Sequence, residues 1–142
     1  MMRENLRKKV ITSNTLLLVW FFLDMVGLSA GGVQLVSKSF QDDGLFFVIA
    51  LVVFMLFLSW EKIGVWVLSA WLVVWGAFEL WAHWSPVMLG GGEGLTRFFN
   101  GTLKLFQLPG VYIPDLYHIV LHILIVVAAF VTVRYAVLYL RK

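Results

Sequence analysis

The sequence has no cysteine and carries little charge. Without a thiol, disulfide bonds, thiolate metal ligands and cysteine nucleophiles are all excluded. Charged residues make up only 13% of the 142 residues, about half the share that is usual in a soluble domain. The formal net charge is +3, but the basic residues stand at the ends of apolar segments and form no patch. A nucleic-acid partner is therefore not expected.

Apolar residues dominate instead. The chain is 61% hydrophobic and 16% aromatic, with a mean hydropathy of +0.91. The apolar residues form long runs that are almost free of charge, which is typical of transmembrane helices. Four runs are long enough to cross about 30 Å of hydrocarbon: 10–36, 44–60, 63–84 and 114–140. The sequence therefore predicts a single all-α domain over residues 1–142, an integral membrane four-helix bundle.

The connections indicate how these helices are arranged. The first three helices are joined by the short segments SKSFQDD and EK, so they should be antiparallel neighbours. The third connection, residues 85–113, is long. Within it, residues 94–107 carry apolar side chains close to helical spacing, with Arg97, Asn100 and Lys104 on the opposite side. This pattern predicts a short amphipathic helix that lies in the extracytoplasmic interface and covers the bundle.

Lysine and arginine indicate the orientation, because they are more frequent on the cytoplasmic side of membrane proteins. With the N-terminus inside, three of the eleven basic residues lie outside: Lys38, Arg97 and Lys104. The other eight lie inside: Arg3, Arg7, Lys8, Lys9, Lys62, Arg134, Arg141 and Lys142. We therefore expect both termini to be cytoplasmic and the long third connection to be extracytoplasmic.

Six ionisable residues besides Arg134 fall within the predicted spans. Each costs about 2.5–3.5 kcal/mol on insertion scales, so each indicates a function or a specific partner. The set includes every histidine of the chain: Asp24, Glu79, His83, Asp115, His118 and His122.

Helical spacing brings these residues to common faces. Glu79 and His83 are four residues apart and share one face of the third helix. Asp115, His118 and His122 fall within about 60° of one another on the fourth helix. Both groups belong to the extracytoplasmic half of the bundle, and Asp24 of the first helix lies near the same level. Three helices are therefore expected to contribute to one site.

The residue types favour a transition-metal site. Imidazole and carboxylate ligands suit Zn, Cu, Fe or Mn, and helical bundles bind metals with such side chains from facing helices. We expect His83, His118 and His122 to be metal ligands, with Glu79 or Asp115 as the fourth. Asp24 would lie behind them and orient an imidazole. The corresponding function is that of a redox or metal-handling subunit of a membrane complex, and enzymatic activity is left open.

Three alternatives stay open. His83 together with His118 or His122 could be the axial ligands of haem b in a membrane anchor subunit, which could also bind a quinone. The ionisable residues could instead belong to a proton-coupled transporter. In a purely structural subunit, Asp115 would only start a helix and His83 would lie at the water interface. Besides the lipid bilayer, we expect other membrane subunits or further copies of this chain as partners, because the bundle is small.

Overall fold

The predicted long helices are present in the computed structural model, which describes residues 2–140. Within these residues, four helices are long and apolar enough to cross a membrane. Arg141 and Lys142, which enter the charge argument above, lie outside the described residues. The elements are α1 (Met2–Val26), β1 (Leu28–Ala30), β2 (Val33–Val36), α2 (Phe40–Ser59), α3 (Glu61–Leu89), α4 (Glu93–Phe98) and α5 (Leu116–Leu140).

The four long helices pack as a ring around a shared core. Helix α1 contacts α2 and α5, and α3 contacts the same two helices. Large aromatic and aliphatic side chains fill the space between them, so the apolar interior runs through all four helices. Its largest fully buried members within the helices include Phe21, Phe57, Leu68, Trp75, Leu121 and Tyr135.

The first helix ends at Val26, well before residue 36, where the predicted span ends. Gly27 has a φ of 73° and its N–H bonds to the carbonyl of Leu23, which is a common way for a helix to end. Residues 28–36 then form an antiparallel hairpin of β1 and β2. Gly31 and Gly32 both have positive φ at its turn, as tight two-residue hairpin turns require.

The other three long helices differ from the predicted spans mainly at their ends. Helix α2 begins at Phe40, so the second predicted span, 44–60, misses its first turn. Helix α3 extends beyond residue 84, where the predicted span ends, and passes through Pro86 before Gly90 leaves the helix with a φ of 83°. Helix α5 begins at Leu116, close to the predicted start at residue 114.

The predicted amphipathic helix over residues 94–107 is much shorter in the structure. Only α4 is helical, and Gly101, with a φ of 85°, directs the chain away from the helix. The remainder is irregular and is held by a bridge from Thr102 to Gln34 of β2 and by a bond from the Leu116 N–H to the Leu103 carbonyl. We call residues 90–115 the roof segment, and the end of the bundle that carries it the roofed end.

The opposite end of the bundle is closed by charged and phenolic groups around Glu61. Arg3 Nη2 and Arg7 Nε donate to the Glu61 carboxylate at 2.8 and 2.7 Å. The Tyr135 hydroxyl donates to the same carboxylate at 2.6 Å. These contacts join the start of α1, the start of α3 and the last turns of α5. Both ends of the described chain therefore lie beside the α2–α3 turn, as the short connections predict.

Helices α2 and α3 come into close backbone contact at Gly64. A Cβ on this residue would lie 2.3 Å from Phe57 Cα and 2.5 Å from Phe57 N, a separation at which atoms overlap. Glycine is therefore required here so that the two backbones can meet after the sharp turn at Trp60. Close approach through small residues is a common way for membrane helices to pack.

We expect Gly64→Ala to destabilise the protein by roughly 1–3 kcal/mol or more, the range typical of overpacking. Gly94→Ala is the matched control, because a Cβ at Gly94 meets nothing within 4 Å. Thermal unfolding of both variants in one detergent should show a lower midpoint for Gly64→Ala alone. Equal midpoints would contradict the close contact between α2 and α3.

Candidate functional site

A cavity of about 380 Å³ opens at the roofed end, between α1, the start of α2, α3, α4 and α5. Its wall holds four carboxylates and two imidazoles, and no lysine or arginine is among the described residues that line it. Leu95 and Phe98 of α4 and the adjoining Phe99 cover part of it. The wall is therefore rich in acidic groups and lacks a fixed cation. The ionisable lining residues are Asp24, Asp42, Asp43, Glu79, His83 and His118.

Glu79 lies at the centre of the predicted residues, on the face of α3 that packs against α5. Its Oε2 is 3.7 Å from His83 Nε2 and 3.9 Å from His122 Nε2. Its Oε1 accepts a hydrogen bond of 3.2 Å from Trp75 Nε1. Because Glu79 is only 7% exposed, this carboxylate is held by the protein and has little contact with solvent.

His118 is oriented by Asp115. The Asp115 carboxylate accepts the backbone N–H of His118 at 3.0 Å and is 2.7 Å from His118 Nδ1. Burial raises the pKa of Asp115, but the bonds from His118 outweigh this effect and keep the pKa below its usual value of 3.8. An ionised carboxylate can only accept, so Nδ1 of His118 carries the proton and Nε2 keeps its lone pair. This arrangement favours binding of a cation at Nε2.

His83 packs against His118 and against the roof segment. Its ring stacks on that of His118, with centroids 4.2 Å apart and planes at 30°. Its Nδ1 is 2.6 Å from the hydroxyl of Tyr112, whose pKa burial raises above its usual range. A neutral tyrosine hydroxyl can donate or accept, so His83 can present either tautomer to Glu79.

His122 has the opposite tautomer to His118. Trp84 Nε1, which is only a donor, bonds to His122 Nδ1 at 3.2 Å, so Nδ1 is the acceptor. A neutral His122 therefore carries its proton on Nε2, the atom nearest Glu79. Within residues 2–140 this buried Nε2 has no hydrogen-bond partner. His122 lines an apolar groove on the outside of α3 and α5 and is not among the residues that line the acidic cavity.

Asp24 lies across the cavity, at the end of α1. It is 1% exposed, and its Oδ1 has no hydrogen-bond partner among the described residues. In residues 2–140, no hydrogen bond or ion pair joins its side chain to a histidine, so the expected role in orienting an imidazole is not visible here. Its backbone carbonyl accepts the N–H of Ser39, which brings the start of α2 to the cavity.

These positions can be compared with the needs of a cofactor. In a tetrahedral metal site with bonds of about 2.0–2.2 Å, neighbouring donors are about 3.4 Å apart. The contacts of Glu79 Oε2 at 3.7 and 3.9 Å are slightly longer. Among the described residues, no three acidic or histidine side chains are arranged so that they could hold a metal ion. The stacked His83 and His118 rings do not fit haem, whose macrocycle must lie between its two axial imidazoles.

Sequence reasoning missed several residues that bond to the predicted ones. Trp75, Trp84 and Tyr112 are not among the residues predicted for the site, yet each bonds to Glu79 or to a histidine. Trp75 could have been found, because it stands four residues before Glu79, the spacing that also relates Glu79 to His83. Ser39 and Asp43 read as part of a short connection, and no local pattern places them beside Asp24.

No protein-family model, no curated protein and no solved structure matches this chain. Function must therefore be inferred from the side chains. The cavity can attract a cation, since its lining is acidic. The imidazoles of His118 and His122 differ in which nitrogen carries the proton, so they are not equivalent as ligands.

The tautomers provide a direct test of this geometry. In protein with ¹⁵N-labelled histidine, NMR should show the proton of neutral His118 on Nδ1 and that of neutral His122 on Nε2. The variants His118→Asn and His122→Asn assign the signals. Asp115→Ala should remove the preference of His118, and Trp84→Phe that of His122, each without affecting the other ring. The same tautomer in both rings of the unmodified protein would contradict the assignment.

Proposed function

We propose that the protein is an integral membrane protein whose four long helices cross the bilayer, with both termini in the cytoplasm. The length and composition of these helices support this proposal. So do the large apolar side chains exposed on their outer surfaces, which lipid would cover. The short α4 and the cavity would then lie at the extracytoplasmic side. Examples of such exposed side chains are Val19, Leu45, Val74 and Phe130.

Single cysteines can test the orientation, because the chain has none of its own. Arg97 and Lys9 are both exposed, at the roofed end and in α1 near its start. In sealed right-side-out vesicles, a membrane-impermeant maleimide should label Arg97→Cys at once and Lys9→Cys only after detergent is added. The reverse pattern would invert the proposed topology.

We further propose that the cavity binds a divalent transition-metal cation. The observation that carries this proposal is the position of the buried Glu79 carboxylate beside two neighbouring imidazoles of the acidic cavity. Glu79 Oε2 is 3.7 Å from His83 Nε2, and the ring of His83 stacks on that of His118. Carboxylate with imidazole is the donor set of Zn, Cu and Fe sites. A bound cation would offset the charge of the acidic lining, in which no lysine or arginine occurs among the described residues.

We assign Glu79, His83 and His118 as the ligands. Asp115 fixes His118 with its Nε2 lone pair free, as metal-ligating histidines require. His122 is a poorer ligand than the sequence predicts, since the bond from Trp84 leaves the proton on Nε2. Glu79 Oε2 and His83 Nε2, which are 3.7 Å apart, must come closer to reach the donor separation of a metal site, so binding should order the cavity wall.

The metal would act in handling or redox chemistry together with a partner subunit or a second copy of the chain. The support for a partner is the large apolar surface of the bundle, which a neighbouring membrane helix could cover as well as lipid does. Within this chain, Asp115 and Tyr112 hold the two imidazoles, and Trp75 holds the carboxylate.

Titration of the purified, chelator-treated protein with Co²⁺ and Zn²⁺ tests this site. Visible Co²⁺ absorption and elemental analysis should show one ion per chain. Glu79→Gln and His118→Ala should each lower the affinity at least tenfold, and Asp115→Ala should lower it about 10–100-fold through His118. Trp84→Phe should not lower it, since Trp84 holds His122 in the tautomer that opposes coordination.

Glu93→Gln is the matched control for charge. Glu93 is exposed at the same end of the bundle but does not line the acidic cavity, so its replacement should leave the affinity unchanged. If His122→Ala abolished binding and His118→Ala did not, the ligand assignment would be wrong. If the unmodified protein bound neither ion, the metal proposal itself would fail.

A further inference from the structure

The acidic cavity has a second wall that the metal proposal does not use. It consists of Asp24 at the end of α1 with Ser39, Asp42 and Asp43 at the start of α2. The polar side-chain atoms of this wall are all oxygens. Backbone hydrogen bonds hold the parts of this wall together. The Ser39 N–H donates to the Asp24 carbonyl at 2.9 Å, and the Asp43 N–H donates to the Ser39 carbonyl at 2.8 Å.

Ser39 is unusual in its position. It occupies the N-cap of α2, where a serine hydroxyl normally accepts a backbone N–H of the first turn. Here the hydroxyl makes no such bond. The residue is only 2% exposed, and its Oγ has no hydrogen-bond partner within residues 2–140. Buried hydroxyls are almost always paired, so a missing partner at the cavity is indicated.

Asp24 shows the same deficit. Its Oδ1 is buried and without a partner among the described residues, although a buried carboxylate normally needs a cation or several donors. Asp43, one turn after Ser39 in α2, adds a second carboxylate to the wall, and this one is half-buried. A carboxylate oxygen without a donor, an unpartnered hydroxyl and a neighbouring carboxylate together favour a positively charged group with several N–H donors.

We propose that this wall binds the ammonium group of a small organic amine. An ammonium has three donors and no acceptor, which matches Asp24, Asp43 and Ser39 one to one. Phe21 and Phe78 also line the cavity and offer aromatic surface to the carbon atoms beside the nitrogen. The site uses side chains distinct from the proposed metal ligands and does not depend on metal binding.

At this wall, the available space and the oxygen ligands favour an organic amine over a hard metal ion such as calcium or magnesium. A volume of about 380 Å³ lies in the range of pockets for small molecules. Calcium takes six to eight oxygen ligands and magnesium a near-ideal octahedron. The wall supplies three carboxylates and one hydroxyl, so a hard metal ion would be held mainly by water. The amine could be free in solution or be the ethanolamine head group of a lipid.

Thermal unfolding of the full chain in nanodiscs of phosphatidylcholine tests the proposal. Ethanolamine at millimolar concentration should raise the midpoint, whereas tetramethylammonium, which has no N–H donor, should not. Asp24→Asn should weaken the response about tenfold or more, as expected for loss of a hydrogen bond to a charged group. Ser39→Ala should weaken it less, and Glu93→Gln, which changes the same charge outside this cavity, should not weaken it.

The outcomes separate the two proposals and the two sources of the amine. Asp24→Asn should still bind Co²⁺ in the absorption titration, and Glu79→Gln should still show the rise in unfolding midpoint with ethanolamine. These retained responses also show that each variant is folded. If phosphatidylethanolamine in the nanodisc suppresses the response to free ethanolamine, the head group is the ligand; if it does not, the free amine is. An equal response in Asp24→Asn would overturn the site. The proposal would also be overturned if Na⁺ or Ca²⁺, but not ethanolamine, raised the unfolding midpoint and Asp24→Asn removed that effect.

Discussion

The packing of α3 against α5 at Gly76 sets the geometry on which the candidate site depends. A Cβ on Gly76 would come within 2.8 Å of Ile125 Cγ2, so the two helices touch here. Towards the roofed end, Glu79 faces His122 and His83 then faces His118 along the same seam. Side chains recur on one helix face every three to four residues. In two antiparallel helices, the contact between Gly76 and Ile125 therefore also determines which residues face each other in the next two turns. A larger residue at Gly76 would displace the site as a whole.

The seam places the imidazoles, but neighbouring hydrogen bonds decide what each can do. Asp115 leaves the His118 lone pair on Nε2, whereas Trp84 leaves the proton of His122 there. Two histidines one turn apart on the same helix thus have opposite chemistry. A set of histidines with suitable spacing is therefore not yet a set of equivalent ligands.

The sequence predicts the four long helices and the faces that carry the ionisable residues, because both depend on local periodicity. It does not predict how far α3 is shifted along α5, since that depends on the path of the roof segment and on the contact at Gly76. The hairpin was missed because its residues are apolar enough to continue a span. The unpartnered hydroxyl of Ser39 could not be predicted either. A serine before a helix predicts a cap, and only the folded structure shows that this hydroxyl makes no hydrogen bond among the described residues.

Polar groups deeper in the bundle favour a closed binding site over a path across it. Asn14 donates to the Thr132 hydroxyl at 3.2 Å and to the Val10 carbonyl. Asn14 and Thr132 are at most 2% exposed. At the far end, Glu61 is already paired with two arginines. A cation that moved inward beyond Glu79 would lose its water among apolar side chains and meet groups that already have partners, which is costly. A cation held in the cavity would therefore leave by the roofed end, through which it entered.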